Sequence, residues 1–360
     1  MIGTTSLNWL IFGRRQHTKP KVLLTFYFGA SGLPLGHSCA DGFRQLGWDV
    51  CCVDTHQESA FFRRVVRPYN KLAKALGLKP WMVQPQDQPW APLPYRCMQL
   101  QRAVGQFRPD VVLVLNPFPK LYPTSFLLQL RDSYRFKLIG WNVDGPYDDL
   151  IEKSKYDAPQ FDRYFCIHRH GYSPTDPIHY LPAYALDAKR YYQLPDAQPS
   201  KRGVVFVGAW SPRREEFLKA IADLPLEIYG TNWRRKGSPE TRRCVKANRI
   251  WGDDLIRLMN ESRIVLNLSS WPPEKGGSSL RLIDIPACGA FLLNDESAEL
   301  RQVFEGEATI PAFTDPADLR AKVIHFLAAE DERKHLAARM YARIQAFDTY
   351  AERMRQLVTL

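Results

Sequence analysis

Residues 276–295 read GGSSLRLIDIPACGAFLLND. Glycine and serine let a backbone approach a ligand closely and present N–H groups to phosphate oxygens. Arg281 stands one helical turn before Asp284, so both can address the same ligand. A guanidinium forks onto phosphate oxygens, whereas a carboxylate accepts from paired hydroxyls such as those of a ribose. If LRLIDIPAC is a short helix, its N-terminus adds a dipole that favours a diphosphate. Lys275, Gly276, Gly277, Ser278, Arg281 and Asp284 therefore read as a cradle for a nucleoside diphosphate. The competing reading is a surface loop whose Arg–Asp pair leads into a core helix.

Other residues extend this chemistry. Gly208 lies in the apolar run VVFVGAW (204–210), with Arg213 and Arg214 just beyond it. The tip of a strand is where phosphates sit in open α/β sheets; charge at an exposed helix start is the alternative. Trp251-Gly252 precedes a helical pattern at 253–262 and reads either as a nucleobase contact or as a structural tryptophan. Two groups fit a general base. His37 follows a glycine-rich loop, YFGASGLPLG, and Asp144 follows a buried run in WNVDGP. Turn formation or helix capping is the competing role for each. His168 and His170 alternate in CIHRHGY without further ligands nearby in sequence, so no metal site is expected there. No DxD motif stands out, and Asp148-Asp149 and Asp253-Asp254 read as capping acids. Positive side chains are expected to stabilise the diphosphate in place of a metal, with no cofactor beyond the co-substrate.

The elements that must position these groups follow from hydrophobic pattern. KVLLTF (21–26) is a buried parallel strand, 37–50 a helix capped by Ser38 and ended at Gly47, and VCCVD (50–54) the next strand. The glycines of the intervening loop do not match GxGxxG, which argues against a dinucleotide site. Residues 55–99 read as irregular. A helix at 100–107, a strand at 109–117, a helix at 125–134 and strands within 136–146 and 161–167 complete a βαβ alternation. QLPDAQPSKRG, around 195–202, reads as a linker. Beyond it the pattern restarts: strand 204–210, helix 211–224 with Ser211 as cap and Pro212 in its first position, strand 226–230, helix 253–262 and strand 263–269. Helices at 317–329 and 331–358 close the chain. The expected fold class is α/β, with two Rossmann-like domains whose parallel sheets face each other across a cleft, the GT-B outline. The expected division is a basic tail at 1–19, an acceptor domain at 20–195, a donor domain at 202–340, and a final helix at 341–360 that packs back on the first domain.

The totals bound the partners. A chain of 360 residues exceeds one ordinary core. A net charge of +11 suits an anionic partner: phosphates of a small ligand, nucleic acid or an anionic membrane. The basic clusters, such as Arg63-Arg64 and Arg234-Arg235-Lys236, lack the interleaved aromatics of a stacking groove, so nucleic acid is not the expected partner. The 7 cysteines show no CxxC pair and no disulfide framework, which fits a reducing, cytoplasmic compartment. No run of 18 apolar residues exists, but SLNWLIFGRRQHTK could touch anionic lipid at the inner face of a membrane.

Several stretches of the second half, in order, resemble the carboxy-terminal domain of CgeB-like glycosyltransferases: FVGAW with Arg213-Arg214, LEIYGTNW, GDDLIRLMNESRIVLNLS, LRLIDIPACGAFLLND and DTYAERMRQL. The first half is similar through its first loop, KLIGWNVDGP and HYLPAYALD. The resemblance implies the GT-B fold and transfer of a sugar from a nucleotide-diphosphate donor, a UDP-sugar first of all. It implies a saccharide or lipid-linked saccharide acceptor, such as one of a bacterial envelope. It places Asp284 at the donor ribose and Trp251-Gly252 at the nucleobase. Where many retaining relatives carry a second acid, this chain has Gly276, with Glu274 nearby. The alternatives are a nucleotide-sugar epimerase and a non-catalytic sugar- or nucleic-acid-binding module.

Overall fold

A computed structural model describes residues 19–29, 34–78, 88–118, 121–198, 201–307 and 309–359. The tail expected at 1–19 lies outside these residues except for Lys19.

Among the described residues, twelve strands form two six-stranded sheets. In the first half they are β1 (Lys21–Phe26), β2 (Asp49–Asp54), β3 (Val111–Leu115), β4 (Lys137–Asn142), β5 (Arg163–Cys166) and β6 (His179–Tyr180). Their spatial order is β2-β1-β3-β4-β5-β6, and every pairing is parallel. The second half holds β7 (Arg202–Val207), β8 (Leu226–Tyr229), β9 (Val245–Ala247), β10 (Ser262–Asn267), β11 (Leu292–Asp295) and β12 (Ala312–Phe313). Their order is β12-β11-β10-β7-β8-β9, again parallel throughout. Parallel sheets must be covered on both faces, so their central strands are apolar without interruption. VVLVL of β3 is buried at all five positions. Helices supply the cover, as the βαβ pattern requires.

The halves meet through a shared connection and a returning helix. Tyr184, Leu186 and Tyr191, from the connection, pack into the core of the second half. The helix Tyr350–Thr359 returns to the first half, where Tyr350, Met354 and Leu357 join a core with Val22, Phe43 and Trp141. It crosses the helix Leu35–Gln45 at Gly42, where an added Cβ would stand 2.6 Å from the Tyr350 carbonyl oxygen. The Tyr350 hydroxyl donates to the Ala183 carbonyl at 3.1 Å, and the Leu186 N–H donates to the Asp348 carbonyl at 2.8 Å.

Some elements differ from the sequence reading. The helix expected over 331–358 is two helices, Glu330–Gln345 and Tyr350–Thr359, because the first packs on the second half and the last on the first half. Residues 55–99 are not irregular throughout: Phe62–Val66 and Arg67–Ala75 are helical, and the helix read as 100–107 begins at Pro92. Ser38 is not the cap of its helix, which starts at Leu35; the Ser38 hydroxyl lies 2.5 Å from Asp187 Oδ2 instead. Ser211 does cap, accepting from the Arg214 N–H, with Pro212 in the first turn.

Candidate active site

A cleft of about 450 Å³ opens at the carboxy ends of β7, β8 and β9. Gly208, Gly230 and Asn248 follow those three strands and line it. The loop ends of a parallel sheet are where such folds place ligands, because there the strands leave backbone groups uncovered by helices. Close approach of the strand ends makes the floor. A Cβ on Gly230 would stand 1.8 Å from the Gly208 carbonyl oxygen. That same carbonyl accepts from the buried Trp233 indole at 2.8 Å, and the Gly208 N–H donates to the Tyr229 carbonyl at 2.9 Å.

Arg281 forms the cationic wall. It opens the helix Arg281–Ala287 and lines the cleft. Its Nε is buried without a hydrogen-bond partner among the described residues. Burial lowers its pKa, while the Tyr191 hydroxyl and the Asp284 carboxyl act in the opposite direction. Arg214 lies near enough that burial and then the charge of Arg281 push its pKa down to about 10. Two guanidiniums held close make a local excess of positive charge that an anion relieves.

Opposite, Trp251 and Gly252 line the cleft where β9 leads into the helix Gly252–Asn260. Trp251 is 40% exposed, so its ring is available to a ligand rather than locked in the core. From the first half, Gly29, Pro34 and His37 close the cleft. His37 Nε2 lies 3.1 Å from the Phe28 carbonyl oxygen. A carbonyl only accepts, so Nε2 carries the proton and the neutral ring keeps its lone pair on Nδ1.

The remaining candidates lie elsewhere, each for a physical reason. Asp284 is buried beside Tyr191 and does not line the cleft. Burial first, and then the Asp187 carboxylate, raise its pKa well above the usual range against the pull of Arg281. Arg213 donates to the Ser269 carbonyl at 2.8 Å and to Asp295 Oδ2 at 2.9 Å, under the sheet end rather than into the cleft. Arg214 is tied to the Leu268 and Ala209 carbonyls. The glycine–serine loop turns away as well. The Gly276 N–H donates to the Pro273 carbonyl at 2.9 Å, and the Gly277 N–H to Glu299 Oε1 at 2.6 Å, so neither is open to phosphate. Lys275 and the buried Ser278 also lie outside the cleft wall. The helix after them offers little more, since the Leu282, Ile283 and Asp284 amides already donate to Ser279 and Leu280 carbonyls. Asp144 sits exposed in the turn after β4, 3.4 Å from Asn116 Nδ2.

Thus the structure joins Gly208, Arg281, Trp251, Gly252 and His37 in one cleft and leaves the other candidates out of it. Sequence reasoning missed Gly230 and the connection residues Tyr191 and Tyr192, which also line it. Gly230 carried a signal, a glycine ending an apolar run as Gly208 nearly does. The connection carried none, because its residues reach the cleft only through the docking of the two halves. The loop 275–278 meets the first half at His168, which is 1% exposed with neither ring nitrogen hydrogen-bonded among the described residues. Burial first, with the charges of His170 and Lys275 adding to it, lowers its pKa to about 4, against a smaller opposing effect of the nearby His170 backbone.

Comparison with known proteins identifies the fold. Residues 213–359 match the family described as glycosyl transferase-like. No curated protein matches the chain in sequence. In three dimensions it is similar to a glycosyltransferase from Rickettsia africae ESF-5, with 12% identity and a TM-score of 0.62 over 95% of this chain and 97% of that one. Anabaena HepE, solved in complex with UDP and glucose, gives 12% identity and a TM-score of 0.61 over 94% and 98% of the two chains. A UDP-N-acetylglucosamine 2-epimerase gives 13% identity and 0.50 over 95% of each. The chain thus has the GT-B fold, and residues 213–359 match the glycosyl transferase-like family, in line with the enzyme class expected from the sequence.

Proposed function

We propose that this chain transfers a sugar from a UDP-sugar, bound against the second half, to a hydroxyl acceptor presented by the first half. One observation carries the reading: Arg281, its buried Nε unpartnered among the described residues, lines a cleft floored by bare glycine backbone at the carboxy ends of β7 and β8. The diphosphate rests between Arg281 and the Gly208–Gly230 floor, and the base rests on the segment 248–252 beside Trp251. In the reaction the bond from the anomeric carbon to the diphosphate oxygen breaks, and the departing UDP keeps the electron pair. Arg281 stabilises that charge, the role otherwise filled by a metal. The acceptor oxygen forms the new bond and gives up its proton. His37 takes it at Nδ1, because His37 lines the cleft with that lone pair available and Asp144 does not line it. UDP is preferred over other nucleotides because HepE, of the same fold, binds UDP and glucose.

The likeness to CgeB-like enzymes supports an envelope or lipid-linked saccharide as acceptor and a cytoplasmic setting. An epimerase reading is favoured only by the similarity to the 2-epimerase fold. Asp253 is the single carboxylate among the described residues that line the cleft, where epimerisation through paired carboxylic acid–base groups would call for two. A thermal-shift screen of nucleoside diphosphates tests the proposal. UDP is expected to raise the melting temperature, with or without EDTA, and addition of acceptor to a UDP-sugar is expected to release UDP. No shift with any nucleotide would overturn it; sugar epimerised without acceptor would establish the rival.

A further inference from the structure

The segment that follows β2 carries a surface that donor binding does not use. Phe62–Val66 is a π-helical stretch that continues into the helix Arg67–Ala75, and Val66 and Ala73 face the protein. Phe61, Val65, Tyr69, Leu72 and Leu76 recur every three or four residues, the spacing that brings side chains onto one helical stripe. All are exposed, from 42% at Phe61 to 63% at Leu76, and Leu78 follows at 58%. A single exposed leucine is ordinary; a contiguous stripe of this size marks an interaction site.

Arg63, Arg64, Arg67, Lys71 and Lys74 interleave with the stripe along the chain and are exposed. Residues 59–78 contain no acid; Glu58, just before them, pairs with Arg67. The partner must therefore cover apolar side chains and carry negative charge at once. A second copy of this chain does not suit, because a two-fold interface would set the same cations against themselves. Nucleic acid supplies charge but leaves the aliphatic stripe wet. An anionic bilayer supplies both, with acyl chains for the stripe and headgroups for the cations.

The placement fits. β2 is the edge strand of its sheet, and the segment begins beyond its carboxy end. The loop that leads to His37 leaves the neighbouring strand at the same sheet end, and Tyr27 of that loop meets His56 of this one with ring centroids 4.6 Å apart. We propose that Phe61–Leu78 docks this chain on an anionic lipid bilayer and brings the acceptor side of the cleft to the lipid surface. The docking itself does not depend on the donor assignment.

Co-sedimentation of the full chain with phosphatidylcholine vesicles, with and without phosphatidylglycerol, tests this. Binding is expected only with phosphatidylglycerol. It is expected to fall about tenfold or more in Leu72→Ser/Leu76→Ser and in Lys71→Glu/Lys74→Glu. Matching circular dichroism spectra and an unchanged UDP-induced melting shift in both variants would show that fold and donor site are intact. Binding that persists in the leucine variant would place the membrane contact elsewhere and overturn the proposal. Absence of binding to phosphatidylglycerol vesicles would do the same, as would a dimer in sedimentation velocity that both variants dissolve.

Discussion

Arg281 and Asp284 are one helical turn apart, yet they do opposite things. The cation lines the cleft, while the acid is buried beside Tyr191 with its pKa pushed up by burial. Arg281→Gln is expected to weaken UDP binding by about tenfold to a hundredfold, the usual size of a charge-assisted hydrogen bond. Asp284→Asn is expected to leave affinity within about twofold, since the acid does not line the cleft and an amide keeps its size and shape. Isothermal titration of the two variants separates a wall residue from a core one. His168 sets a pH dependence. Its pKa is lowered from an ordinary 6.5 to about 4 by burial, so between those values the unfolded chain takes up a proton that the folded chain refuses. The stability is therefore intact above pH 6.5 and lost as pH falls toward 4, by up to about 3 kcal/mol. Denaturant unfolding across that window is expected to show a smaller loss in His168→Gln.

At the scale of elements, the floor of the cleft depends on two strand ends that pass within contact distance. Gly230→Ala would drive a methyl to 1.8 Å from the Gly208 carbonyl oxygen. The strand ends must part, with an expected cost of about 2–4 kcal/mol and loss of the UDP-induced melting shift. A Gly230→Ala variant with wild-type melting temperature and UDP response would show that the floor is not built this way. The strands themselves were legible in the sequence, because parallel strands are unbroken apolar runs such as VVLVL. The short edge strands β6, β9 and β12 were not. They have two or three residues each, too few for a period to show. The helix at 62–75 was also missed, since Pro68, which the first turn of its helix tolerates, reads as a break within a stretch rich in proline and tryptophan.

At the scale of the whole molecule, the last helix returns from the second half to pack on the first, and the connection Tyr184–Tyr191 runs beside it. Leu357→Ala is expected to destabilise by about 2–5 kcal/mol through the cavity it leaves in that core, read by urea unfolding. Gly42→Val should be worse, because the helix 350–359 has its backbone 2.6 Å from where the first added carbon would stand. If that variant unfolds with wild-type stability, the returning helix does not clamp the halves together. Only this docking carries His37 to the same cleft as Arg281, two residues separated by most of the chain.

What the sequence determined alone was the sheet count, the parallel topology, the glycine at the first strand tip and an arginine suited to a diphosphate. Those depend on local pattern and residue chemistry, which a linear reading holds in full. What the tertiary structure decided was direction. It turned the glycine–serine loop toward Glu299 and His168, sank Asp284 beside Tyr191, and tied Arg213 to Asp295. Each outcome depends on a partner distant in sequence that satisfies a donor or a charge, and no spacing along the chain encodes which partner will arrive first.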